Sequence, residues 1–186
     1  MRNITGVGES DHVTASDFRN MLAGIFGLGS YILKTGDQFA TTLVSNNQMD
    51  IGTGMMCHQG NLSAEDTGKS ITITNGMQGV KRIDLVVNRY MRDDITQIEA
   101  NEWVYIMGDP ATTNPTAPSY VKGDIISGDL IVDCPVFQIE INGLNVENIK
   151  CLLPVMKPLV EKQNQITGGI AAPSGGEDGD VYIRIS

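Results

Sequence analysis

The sequence predicts a mainly β chain, β-rich and sandwich- or barrel-like, with one short N-terminal helix and a short helical segment before a C-terminal tail. Apolar residues alternate with polar ones in several short runs, the period of a half-buried strand. A single early stretch carries helical spacing instead. Gly, Asn and Pro divide the runs at short intervals, as turns between strands require.

The helix comes first. Phe18, Met21, Leu22, Ile25 and Phe26 fall at i, i+3, i+4, i+7 and i+8, one apolar stripe. Thr14 and Asp17 stand where a capping pair would, and Gly27 and Gly29 end the run. Such a stripe is expected to be buried, against a sheet or a neighbouring subunit.

The strands follow. "YILKT", "QFATTLV" and "MMCHQG" read as short ones. "SITIT" puts Ile71 and Ile73 on one face and Thr72 and Thr74 on the other. "VKRIDLVVNRY" groups Ile83, Leu85 and Val87 opposite Asp84 and Asn88, and "VFQIEI" groups Phe137, Ile139 and Ile141 opposite Gln138 and Glu140. "WVYIM", residues 103–107, is apolar on both faces and predicts a central strand. Asn75-Gly76 and Asn142-Gly143 predict positive-φ turns, Asp93-Asp94 a hairpin tip, and the three-proline run 109–120 a long loop.

Pro154 and Pro158 forbid a continuous helix, so a short one is expected from about Lys157 or Pro158. "TGGIAAPSGGEDG" reads as a linker, and "DVYIRIS" alternates Val181, Ile183 and Ile185 with Tyr182 and Arg184. The expected organisation is a β-rich domain over 1–165 and a linker with a terminal docking strand over 166–186. That strand is expected to pair with a sheet edge in its own or another subunit.

Composition bounds the partners. The 186 residues suffice for a sizeable core, and 13 basic against 22 acidic residues give a net charge of −9. Nucleic acid and anionic membranes repel such a chain. The start has no apolar signal-peptide region, and no stretch approaches the roughly 20 apolar residues of a membrane span. Cys57, Cys134 and Cys151 are isolated and odd in number, which fits buried reduced thiols in a cytoplasm.

Gly68-Lys69-Ser70 imitates the end of a phosphate-binding loop, but Ser63 stands at the first glycine position, Glu65 and Asp66 would face the phosphates, and a strand follows instead of a helix. An exposed turn entering a strand is the reading. His12 and His58 are far apart, and Cys57 and His58 would point to opposite faces of a strand, so no metal site is expected. "EDGDVY", with Glu177, Asp178 and Asp180, lacks the spacing of a calcium loop. Trp103 is expected in the core, while Tyr120 is the aromatic a loop could display to a sugar.

The segments "HVTASDFRNMLAGIFGLGSYIL", "ITITNGMQGVKRIDLVVNRY", "GLNVENI" and "PSGGEDGDVYIRIS" carry a resemblance. His12-Val13-Thr14 before the helix, the Asn75-Gly76 turn and the strand Arg82-Ile83-Asp84-Leu85 are its signatures. Together they resemble small structural proteins from tail or baseplate modules of phages and prophages of Gram-positive bacteria. The resemblance covers most of 10–150 and the last 14 residues, and its motifs are turns and strands. It implies a non-enzymatic assembly or adaptor subunit of the distal virion tail, assembled in the bacterial host cytoplasm. Its partners would be its own copies, as a homotrimer, and other tail or baseplate proteins. Phe18, Met21, Leu22, Ile25, Leu159, Val160, Val181, Tyr182 and Ile183 are the expected interface. No catalytic residue, metal or cofactor is expected. The alternative is a receptor-binding protein gripping a host cell-wall saccharide through a loop that displays Tyr120.

Overall fold

Alternating runs become antiparallel ladders here because each strand can bury one face and turn the other outward. The computed structural model describes residues 4, 13–158, 161, 167–169 and 182–184. The chain divides into two compact units, Met1–Val155 and Met156–Ser186.

The first unit opens with helix α1 (Ala15–Phe26). Its strands are β1 (Ser30–Ile32), β2 (Thr41–Ser45), β3 (Gln48–Ile51), β4 (Gly54–His58), β5 (Asn61–Glu65), β6 (Lys69–Thr72), β7 (Lys81–Arg92), β8 (Glu99–Ile106), β9 (Ile131–Asn142) and β10 (Asn145–Cys151). They form three antiparallel sheets, ordered β1-β4-β5, β2-β3-β6 and β10-β9-β7-β8. The sheets do not close into a barrel. A shared core joins all three: Ile32 and Met56, Met49, Ile51 and Ile71, and Val86, Phe137, Ile139 and Ile141. Trp103 packs beside it, its ring centroid 5.3 Å from Phe39 and 6.0 Å from Phe137.

In the four-stranded sheet Val86 stands opposite Phe137 and Val87 opposite Pro135, so Val136 is the extra residue of a bulge. Proline donates no ladder hydrogen bond, and a bulge is where an interior strand tolerates one. Val86, Val87 and Val136 are all fully buried.

Several expectations meet the structure directly. The Thr14–Asp17 capping box forms, with both reciprocal bonds at 3.1 Å, and Gly27 ends the helix at φ 85°. Ile71 and Ile73 are buried, as are Phe137, Ile139 and Ile141. Asp93 sits at the β7–β8 tip, where Oδ1 accepts from the amides of Ile95 and Thr96.

Others are corrected. Residues 103–106 lie on an edge strand, because β7 and β9 take the centre of the sheet. In β7 not one but both faces are buried: Leu85 and Val87 on one, and Arg82, Asp84, Val86 and Asn88 on the other, where Asp84 stands opposite Ile139 and Val86 opposite Phe137. Gly76 does not take the positive φ expected of it; Gly143 does, at 61°. Close approach constrains residue 76 instead, because a Cβ there would lie 2.0 Å from the Gly143 carbonyl oxygen. Cys57 and Cys134 are buried free thiols, but Cys151 is exposed.

In the second unit, β11 (Thr167–Gly169) pairs in parallel with β12 (Tyr182–Arg184). Part of the expected linker is therefore a strand, and the terminal strand has a partner in its own chain. Near Pro158, the Glu161 amide donates to the Pro158 carbonyl at 2.9 Å. Leu159, Val160, Val181, His12 and the 177–180 carboxylates lie outside the described residues.

Candidate assembly interface

Helix α1 is held to the body by its polar side. Arg19 is its one buried residue, only 9% exposed. The guanidinium grips Glu99 at the start of β8 with two bonds, Nη1 to Oε2 at 2.7 Å and Nη2 to Oε1 at 2.9 Å. Tyr90 Oη donates to the same Oε1 at 3.0 Å. The Arg19 guanidinium is the main reason the Glu99 carboxyl is held below its ordinary range. Helix backbone also lies directly on Gly60, where φ is 79° and a Cβ would sit 2.4 Å from the Arg19 carbonyl oxygen. Ion pair, hydroxyl and glycine contact together fix the helix.

That docking turns the apolar stripe outward. Phe18, Met21, Ile25 and Phe26 are exposed, while Leu22 is half-buried. Among the described residues the expected burial of the stripe is not reached, although Phe26 meets Tyr31 edge-on with ring centroids 6.3 Å apart. Val13 and Leu28 extend the exposed apolar surface at either end of the helix. Glu99 also ties the helix to the β7–β8 hairpin, whose tip carries Ile98 and Ile95, the latter 92% exposed. Leu130, whose carbonyl accepts from the Arg92 amide, and Ile131 add exposed apolar surface beside that hairpin. Monomeric domains rarely leave broad apolar surface uncovered.

The Arg-x-Asp segment performs a structural task. Arg82 and Asp84 are two apart on one face, so the side chains meet: Nε to Oδ1 at 2.8 Å and Nη2 to Oδ2 at 3.0 Å. Asp84 also accepts from the Gly108 amide at 2.9 Å and from Tyr105 Oη. Arg82 donates to the Thr74 carbonyl at 2.6 Å and the Asn75 carbonyl at 3.3 Å. The pair thus pins the 74–75 turn and the exit of β8 to the sheet. Alternation set Asp84 and Asn88 opposite Ile83, Leu85 and Val87 without saying that their face is buried; the i, i+2 spacing of Arg82 and Asp84 in an apolar strand was the available signal for a buried pair.

Two polar clefts were weighed for chemistry. One groove of about 460 Å³ is lined by Gly68-Lys69-Ser70, Asp37 and Asp50 among others. Asp50 Oδ1 accepts from Ser70 Oγ at 2.7 Å, and hydrogen bonds from Ser70 and then Gln48 hold its carboxyl below the usual range. The groove thus holds two carboxylates, Asp37 and Asp50, which repel phosphate.

The second cleft, about 230 Å³, is lined by Tyr120, Lys122, Ser30, His58, Asp133 and Cys134 among others. Tyr120 is half-buried, with Lys122 Nζ 5.7 Å from its ring centroid. Ser30 and His58 are cross-strand partners, Oγ to Nδ1 at 2.6 Å. Burial holds the imidazole below its ordinary pKa and pushes the Cys134 thiol up to about 11. Asp133 is occupied by Arg89, Nε to Oδ1 at 2.7 Å, and by the Val121 amide at 2.9 Å. Cys57 and His58 do point to opposite faces, since Cys57 stands opposite Tyr31 and His58 opposite Ser30.

Among the described residues, no group of three or more His, Cys, Asp or Glu could hold a metal ion, and no helix is long and apolar enough to cross a membrane. The structure brings Phe18, Met21 and Ile25 onto one exposed surface and places Tyr120 in a cleft of its own. Arg19 and Glu99, the residues that orient the helix, were missed, because their contact spans 80 positions. Comparison with family models, curated proteins and solved structures finds no match for this chain.

Proposed function

We propose that the chain is a non-enzymatic assembly subunit of a phage tail or baseplate, joining its own copies, as a homotrimer, and neighbouring tail proteins. The observation that carries this reading is α1, fixed to the body through Arg19 and Glu99 while Phe18, Met21 and Ile25 face outward. A helix docked by an ion pair with its apolar side free suits a joint that a neighbour completes. The sequence resemblance supplies the virion setting. Met21→Glu with Ile25→Glu tests it: stability should stay within about 0.5 kcal/mol, as for exposed sites, while the assembled form is lost. A wild-type mass of one 20.1 kDa chain in sedimentation, alone and with tail neighbours, would refute the reading.

The second reading is a receptor-binding protein for a host cell-wall saccharide. Tyr120 favours it, because its ring lines a cleft beside Lys122 and the Ser30 hydroxyl. Glycan-array binding abolished by Tyr120→Ala would support it, and an unaltered profile would remove it.

A further inference from the structure

The sandwich is open at one margin. Thr41 and Leu43 stand opposite Ile51 and Met49, both buried in the core, so they belong to the inner face of their sheet. Val146 and Ile149 stand opposite Ile141 and Ile139 and belong to the inner face of the other sheet. Yet Leu43, an inward-facing apolar residue, is 41% exposed. Among the described residues these strands, β2 and β10, end their sheets, so each has an outer edge with no further strand beside it. Both line a single groove of about 270 Å³, with Glu147 on its wall. Asn46 clips the strands together at one end, donating to Asn145 Oδ1 at 2.9 Å and accepting from the Val146 amide at 3.3 Å. Beyond that clip Leu43 stays exposed beside the partly buried Val146 and Ile149, and the groove between them has room for apolar side chains of another strand.

We propose that this mouth accepts the C-terminal strand of a second copy of the chain. Three features fit that occupant. Val181, Ile183 and Ile185 alternate with Tyr182 and Arg184, so the segment can turn aliphatic side chains toward Leu43, Val146 and Ile149 and its polar side outward. Arg184 supplies a cation for Glu147. In its own unit, among the described residues, β12 pairs only with the three residues of β11, a two-stranded parallel ribbon too short to hold alone in water. Adding β12 to β2 or β10 gives the ribbon the third strand it needs. Each copy then offers one donor strand and one acceptor mouth, a head-to-tail junction that closes as a ring. This inference rests on the assembly reading and says which surfaces join the copies.

A cysteine trap tests it in the full chain. With Cys151→Ser removing the exposed thiol, Leu43→Cys and Ile183→Cys are made separately, each checked for an unchanged thermal midpoint, and mixed under mild oxidation. The expected result is a disulfide-linked dimer, at least ten-fold more abundant than in either variant alone. The doubly substituted chain should form closed multimers. A doubly substituted chain that oxidises at the mass of one copy would show the strand in its own mouth and overturn the proposal. No cross-linked product would overturn it equally. The α1 variants report on the helix surface alone, so loss of assembly there with an intact cross-link, or the reverse, tells the two readings apart.

Discussion

Asp84→Asn is the most demanding perturbation of this fold, because one buried carboxylate organises two chain segments. Its side chain is 0% exposed beside an Arg82 side chain 6% exposed. It accepts from Arg82 Nε and Nη2, from the Gly108 amide and from Tyr105 Oη. The amide is nearly isosteric but carries no charge, and its NH2 would face the guanidinium. Breaking one side of a buried ion pair costs about 3–5 kcal/mol. At roughly 2–4 °C per kcal/mol for a chain of this size, the midpoint should fall by about 6–20 °C. Urea unfolding followed by the single tryptophan, Trp103, reads this well, because its ring lies between Phe39 and Phe137. The denaturant slope should stay unchanged while the midpoint moves. Arg82→Met with Asp84→Leu removes both charges and should cost clearly less than Asp84→Asn alone, since no orphaned charge is left. A loss below about 1 kcal/mol in Asp84→Asn, or a double variant as costly as the sum of its singles, would refute the reasoning.

Two more predictions concern the helix. The Glu99 carboxyl is held low in the folded state, chiefly by Arg19, so its contribution is present above the ordinary carboxylate pKa of about 4.3 and lost as pH falls through the folded value. Wild type should exceed Glu99→Gln by about 1 kcal/mol near neutrality, and urea midpoints should converge in acid; a pH-independent gap would exclude the ion pair as its source. Gly60→Ala places a methyl 2.4 Å from the Arg19 carbonyl oxygen at φ 79°. It should cost about 2 kcal/mol and speed amide exchange across residues 15–26, whereas unchanged exchange there would show that the helix does not rest on this glycine.

Much of the architecture was legible along the chain. Period-two alternation at Ile71 and Ile73, and at Phe137, Ile139 and Ile141, marked faces that are buried, and Thr14 with Asp17 marked the helix start. These signals are local: a side chain's direction follows from its place in a strand or first turn. At β7 alternation grouped Ile83, Leu85 and Val87 rightly, but it could not say that the opposite face is buried too once polar residues there can satisfy each other. Arg82 and Asp84 do so, and the polar face goes inside.

The sequence by itself determined a β-rich chain with an amphipathic N-terminal helix, most of the turn positions and a net charge of −9. It also determined that apolar residues would lie along one side of α1. Only the tertiary structure decided that this side faces outward, that the 103–106 strand lies at an edge, and that Leu43 opens onto a groove between β2 and β10. The physical reason is separation. Patterns within one helix or strand involve neighbours a few positions apart, whereas the Arg19–Glu99 grip spans 80 positions and the Asn46–Asn145 clip 99. Contacts at such distances depend on how the sheets pack, and the packing is settled by the whole core at once.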